Sequence, residues 1–327
     1  MTGRERVIAA IEFKKPDRLP VWLINKDQKQ GDVLWYDFRI PQASGGQVAQ
    51  GNILSEFGYV WRTLNDGTMG HPTKPVIGDW SQLEGYKFPD INPDVRLKTL
   101  NTYLKESEGY YRLPMLMLTG FNTFTFLRGF ENSMSDFVLE YEKASYLLDG
   151  IFSWEEKIIT LAAENGFDGF HFGDDWGTQN GMIISSAMWR DIFKPRYKKI
   201  FDHAHNSGLH VWFHCCGNFD AIIDDLHEVG VDVINIAQPN VVDLEGVSQR
   251  LKGKQCFLIP ISYQSVGISG TPEEIIAEGK RITDLFHTEA GGLVGYAEEY
   301  GCMGMTDENF EACKAAFGIY KNGNPPN

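Results

Sequence analysis

From residue 113 onward the chain alternates short apolar runs with longer amphipathic stretches, and this rhythm restricts the fold more than any other feature. LPMLML (113–118), GFDGFHFG (166–173), GLHVWFHCCG (208–217), VDVINIAQP (231–239), QCFLIPI (255–261) and GGLVGYAEE (291–299) each read as a strand. Helical segments fall between them: one to about 165, one over about 185–207 with Pro195 as a kink, and one to Leu226. Another is capped by Thr271-Pro272-Glu273-Glu274, and a last one lies near 307–317. Buried strands joined by helices pair in parallel through right-handed crossovers. Upstream, Thr2 and Glu5 form a capping-box pattern before Val7, Ile8 and Ile11, and LPVWLI (19–24) reads as a further buried strand. Residues 25–112 are less regular. Their aromatics and turn residues (Trp35, Tyr36, Trp61, Gly67, Gly70, Pro72) suit long loops over one barrel end, with a weak strand at 57–62. About eight such strands predict an α/β fold, a single (β/α)₈ TIM-barrel domain over 1–327, with a doubly wound open sheet as the alternative. No Gly-rich phosphate loop follows any strand, which argues against a nucleotide-binding sheet.

Charge narrows the partners. Thirty Lys and Arg against 44 Asp and Glu give a net charge of −14, whereas nucleic acids and anionic membranes select basic surfaces. No apolar run approaches the roughly 20 residues of a membrane span, and MTGRERVIAA lacks the apolar core of a signal peptide. The expectation is a cytoplasmic protein with no membrane or nucleic-acid partner, and a homodimer is left open. The 5 cysteines are odd in number and two are adjacent, unlike a secreted disulfide framework.

In a barrel, chemistry gathers at the carboxyl ends of the strands. Those ends carry Asn122, then Asp174, Asp175 and Trp176, then His214, Cys215 and Cys216, then Gln238, Ser262 and Gln264, and finally Glu298, Glu299 and Cys302. His214-Cys215-Cys216 is the sharpest feature. Residues i and i+2 of a strand share a face, so His214 and Cys216 can converge while Cys215 points away. Imidazole nitrogen and thiolate suit zinc, although a short His-x-Cys is also compatible with a core cysteine beside a hydrogen-bonded histidine. A third ligand could come from Glu298, Glu299 or Cys302. Cys256, in mid-strand, and Cys313, in the last helix, read as packing. Adjacent residues point apart, so one of Asp174 and Asp175 should face the pocket. Asn122, Gln264, Trp176 and Tyr296 are the candidate substrate contacts, and Phe121, Phe124 and Trp212 either join an aromatic pocket or belong to the core. RDIFKPRYKK (190–199) reads as a solvated helix face.

These segments also resemble a family. RERVIAAIEFKKPDRLPVW, FGYVWRTLNDGTMGHP (57–72), LRGFENSMSD (127–136), FGDDWGTQNGMIISSAMWRDIFKPRYKKIFD (172–202), HCCGNFDAIIDDLHEVGVDVINIAQP (214–239) and the closing GG…DEN pattern (291–309) are similar to the uroporphyrinogen decarboxylase-like superfamily. That superfamily includes the corrinoid-dependent methyltransferases. The resemblance covers essentially the whole chain and implies a (β/α)₈ barrel. True decarboxylases carry Arg-Gln-Ala-Gly-Arg after the first strand. LINKDQKQGD (23–32) stands there instead and lacks the arginines for porphyrinogen carboxylates. The methyltransferase branch uses His-x-Cys plus a later cysteine as zinc ligands, so the resemblance implies zinc at His214 and Cys216. The later position falls on Glu299, with Cys302 three residues beyond. Either Glu299 is the third ligand, or Cys302 serves, or no metal binds. The function implied is a methyltransferase that demethylates a small substrate such as a methoxylated aromatic, zinc acting as Lewis acid, with a corrinoid protein as partner accepting the methyl group. Asp174 or Asp175 would orient the substrate, and Trp176 and Tyr296 would stack on it. The sister reaction moves methyl from corrinoid to a thiol. Alternatives are a metal-independent decarboxylase and a non-catalytic barrel that binds a tetrapyrrole or a partner protein.

Overall fold

The computed structural model describes residues 1–40, 52–62 and 70–320. Eight parallel strands form a nearly closed barrel: β1 (Val21–Ile24), β2 (Val33–Asp37), β3 (Tyr111–Met115), β4 (Gly169–Gly173), β5 (His210–Cys215), β6 (Val233–Ile236), β7 (Cys256–Pro260) and β8 (Leu293–Glu298). Their order is β1-β8-β7-β6-β5-β4-β3-β2, with every pairing parallel. Alternation sorts their side chains. Trp22, Val33, Leu113, Met115, Trp212, Leu258 and Tyr296 fill the lumen, whereas Leu23, Phe170, Phe172, Phe213, Ile234 and Phe257 pack outward against helices. The first helix, Gly3–Ile11, lies across the amino-terminal mouth. Arg4 N donates to Gly109 O, Gly292 N donates to Ala10 O, and Val7 and Ile11 join the lumen cluster.

The barrel closes through one residue. β1 and β2 share no ladder, but Asp32 N donates to Val21 O at 2.7 Å and the Asp32 carboxylate accepts from Val21 N at 2.9 Å. That buried carboxylate also takes Arg6 Nη1 at 2.5 Å and Arg18 Nη1 at 2.8 Å. Removing it leaves the Val21 amide unpaired and takes one of two carboxylates from Arg6, which keeps Asp17, so Asp32→Ala should cost about 1–3 kcal/mol. Urea unfolding measures this, and a loss below ~1 kcal/mol would mean that backbone pairing alone holds the seam.

The structure corrects several boundaries. β2 was hidden in the irregular region, because turn residues on either side of VLWY masked it. The expected strand at 57–62 narrows to Val60–Arg62, the middle of a small antiparallel sheet with Asn52–Leu54 and His71–Pro72. Gly67 lies outside the described residues. The expected single helix to 165 is three, Gly120–Arg128, Phe130–Leu139 and Tyr141–Glu164, and Gly129 breaks the first from the second with φ 82°. Pro195 starts a new helix, Lys194–Asn206, after Ser186–Ile192, rather than kinking one. Among the described residues no helix is long and apolar enough to cross a membrane.

Candidate metal centre

β5 delivers the centre. His214 turns towards the lumen, while Cys215 is fully buried on the outer face, its Sγ accepting from Trp176 N at 3.3 Å. Cys216, just past the strand, brings Sγ to 3.4 Å from His214 Nε2. A neighbouring strand fixes the imidazole. Asn235 Nδ2 donates to Leu258 O at 2.8 Å, which leaves its Oδ1 as the acceptor 2.6 Å from His214 Nδ1. The network therefore assigns the proton to Nδ1 and leaves the Nε2 lone pair facing Cys216. Asp175 completes the group: its Oδ1 accepts from Cys216 N at 2.9 Å and stands 3.7 Å from His214 Nε2. Among the described residues, Asp175, His214 and Cys216 form the group whose ligand atoms all lie within 4.8 Å of one another. One carboxylate oxygen, one imidazole nitrogen and one sulfur suit zinc, and three protein ligands leave a position open. Burial first, then Asp175, pushes the Cys216 thiol well above its ordinary value. Without a cation it stays protonated.

Asp175 is set by the helix Gly120–Arg128, which follows β3. Asn122 Oδ1 accepts from Asp175 N at 2.7 Å, and Asn122 N donates to Asp174 Oδ1 at 2.9 Å. Asn122 thus spaces the two acids through its backbone N and its Oδ1, which leaves the expected substrate contact to its Nδ2. Zinc held by this group would bind about 10- to 100-fold more weakly in Asn122→Ala, the usual effect of losing a group that orients a ligand. Competition against a chromogenic chelator reads this, and an unchanged affinity would show that Asp175 holds its place without Asn122.

Asp174 faces the other way. Fully buried, it accepts from Tyr197 Oη and lies behind the barrel wall, so it does not orient substrate. Beside it Glu155 accepts from Gly120 N at 2.7 Å, and its second oxygen has no partner. Burial pushes Glu155 up to about 8 and raises Asp174 as well, the latter also feeling Glu155. Gly120, at φ 29°, is the close approach that permits this pair: a Cβ there would stand 2.4 Å from Asp174 Oδ2.

Other expected contacts are redistributed. Trp176 stacks on Phe121 at 4.1 Å and donates to Tyr197 Oη at 3.2 Å, fully buried in the outer core, because the chain after β4 turns it away from the lumen. Phe121 and Phe124 are core beside it, and Trp212 lies deep in the lumen with Nε1 donating to Tyr111 Oη at 3.1 Å. Tyr296 does face the lumen. Its hydroxyl donates to Glu298 Oε2 at 2.5 Å, and Tyr300 donates to the same oxygen at 2.8 Å. Neither Glu299 nor Cys302 joins the three-ligand group. Alternation along β8 gives the lumen side to Tyr296 and Glu298, so Glu299 falls on the opposite side, and Cys302 is exposed on a 3₁₀ turn. Gln264 is exposed, while its neighbour Tyr263 interacts with Cys216 and accepts from Gln238 Nε2 at 2.9 Å. Sequence reasoning missed Asn235 and His171. His171 lies in the lumen with its ring 6.0 Å from that of His214, and burial, then His214, pushes it down to about 3, a neutral imidazole. The alternation of HFG in β4 carried that signal.

The uroporphyrinogen decarboxylase family model matches residues 63–322, and the chain belongs to that family. Its fold is shared with a methyltransferase from Methanosarcina mazei, to which it is similar with a TM-score of 0.73 at 15% identity, over 97% of this chain and 98% of that one. No curated protein matches the sequence.

Proposed function

We propose that this chain is a methyltransferase that moves a methyl group between a small substrate, of which a methoxylated aromatic is the leading case, and a corrinoid carried by a partner protein. The observation that carries the reading is the convergence of Asp175, His214 and Cys216 at the carboxyl end of the barrel. Membership of a family of barrel enzymes and the shared fold with a methyltransferase support it. Zinc held by these three groups would supply Lewis acidity towards the atom that carries the methyl group. The protein's own residues do the positioning. Asn235 sets the His214 tautomer, the Cys216 amide pins Asp175, and Tyr263 approaches Cys216 from β7's loop. Tyr296 and Tyr300 hold Glu298 at the rim, which keeps that carboxylate in place beside the centre. A cytoplasmic location accords with the centre, since a reducing compartment keeps Cys216 available as a ligand.

Zinc analysis combined with a methyl-transfer assay, using cob(I)alamin with methoxyarenes and thiols, tests the reading. Expected are about one zinc per chain and transfer that His214→Ala abolishes. Clearly substoichiometric zinc, together with a fully active His214→Ala protein, would overturn it. A decarboxylase would instead release CO₂ without corrinoid, and a binding module would retain ligand and turn nothing over.

A further inference from the structure

The connection between β1 and β2 frames a cavity that is no part of the metal centre. Residues 25–32 run from the carboxyl end of β1, where Asn25 Nδ2 donates to Glu299 O at 3.2 Å, back to its amino end, where Asp32 pairs with Val21. On the other flank the helix Leu100–Glu106 lies beside β2, with Tyr103 Oη donating to Leu34 O at 2.7 Å. Since β1 and β2 share no ladder, a space of about 450 Å³ stays open between the segment and the helix. Its edges are tied to the amino-terminal half of the barrel. Lys29 O accepts from Tyr110 Oη at 2.9 Å, one residue before β3 starts, and Glu106 ends the helix that leads there. Asp175, His214 and Cys216, at the carboxyl end, do not line it.

A cavity of this volume is large enough for a small molecule of one or two rings. Its apolar walls are Leu34, Trp35 and Tyr103. Trp35 Nε1 is buried and has no hydrogen-bond partner. A donor left unpaired in this way is costly, so an acceptor seated against this wall recovers free energy. The charges around the cavity are already balanced, Lys29 by Glu106 at 3.2 Å and Asp27 by the buried Lys314 at 2.6 Å. A charged ligand would have to break one of these pairs to find a counter-ion. Two carboxamides remain. Gln30 Oε1 accepts from Lys314 Nζ at 3.2 Å, which leaves Nε2 to donate. Among the described residues the Gln28 side chain has no partner, so it offers a donor and an acceptor together. A carboxamide meets the donor–acceptor edge of a nitrogen heterocycle with two hydrogen bonds, and a flat ring stacks on indole or phenol.

We propose that this seam cavity binds an uncharged, planar nitrogen heterocycle of purine size, stacked on Trp35 and Tyr103 and held at its edge by Gln28 and Gln30. The site is separate from the metal centre and independent of the methyltransferase reading. Calorimetric titration of the full chain at pH 7 tests it, with adenine, indole and benzoate as probes. Adenine should bind with a Kd below about 1 mM and at least about tenfold more tightly than indole, a ring system of the same size without its acceptors, or benzoate. Gln28→Ala should weaken adenine about tenfold, and Trp35→Phe, which keeps a stacking face and loses the N–H, should weaken it severalfold. His214→Ala should leave adenine affinity unchanged, because the metal centre lies at the other end of the barrel. The proposal is overturned by no saturable adenine binding up to about 5 mM, or by indole binding as tightly as adenine. It is equally overturned if His214→Ala lowers adenine affinity while Gln28→Ala does not, since the ligand then sits in the barrel mouth.

Discussion

Asp175→Ala should strip the centre of zinc, whereas Glu299→Ala and Cys302→Ala should leave it in place. Among the described residues Asp175 supplies one of three convergent ligand atoms, its Oδ1 2.9 Å from the Cys216 amide and 3.7 Å from His214 Nε2. Losing a direct ligand should exceed the roughly 10- to 100-fold typical of losing a group that merely orients one. It should also carry methyl transfer down with it. The contrast matters because counting along the sequence points to Glu299, and the fold points elsewhere. Glu299 leaves β8 on the wrong side, and Cys302 sits on an exposed turn. Zinc content after dialysis, and competition against a chelator, read all three variants. If Asp175→Ala keeps its metal while Glu299→Ala or Cys302→Ala loses it, the carboxylate–imidazole–thiol centre is wrong.

Glu155→Gln should flatten the dependence of stability on pH. Burial raises Glu155 from 4.5 to about 8 in the folded chain, and one of its oxygens has no partner. The carboxyl is neutral in both states below pH 4.5. Between 4.5 and 8 the unfolded chain ionises and the folded one does not, so stability falls as pH rises through this window and is lowest above it. The full loss is about 3–5 kcal/mol. Glutamine keeps the acceptor for Gly120 N and never ionises. The variant should therefore gain on the parent at pH 8 and match it near pH 4.5. Parallel unfolding midpoints for the two proteins across pH 4.5–8 would show that Glu155 is not the buried acid that matters. Asp174, raised by the same burial, leaves a residual slope in both.

Much of this molecule was legible in its sequence. Seven of the eight barrel strands stood out as apolar runs, because a strand covered on both faces has no polar alternation to hide it. β2 did not, since Gly31-Asp32 before it and the turn-rich stretch after it masked its five residues. The pairing of His214 with Cys216 followed from strand geometry alone, as did the outward turn of Cys215. Local period fixes such relations within one element. Relations between elements lay beyond it. The choice of Asp175 over Asp174 depends on Asn122, which arrives from the helix after β3 and holds one acid by its amide nitrogen and the other by its carbonyl oxygen. Trp176 looked like a pocket wall and is core, because helices 186–206 pack over it. The centre that opened as a two-residue motif on one strand thus acquired its third member only when β4 and β5 lay side by side, Gly173 against His214. Sequence determined the barrel and the His-x-Cys face, through burial and periodicity. The third member of the group was decided by which neighbouring loop the closed sheet brings within reach.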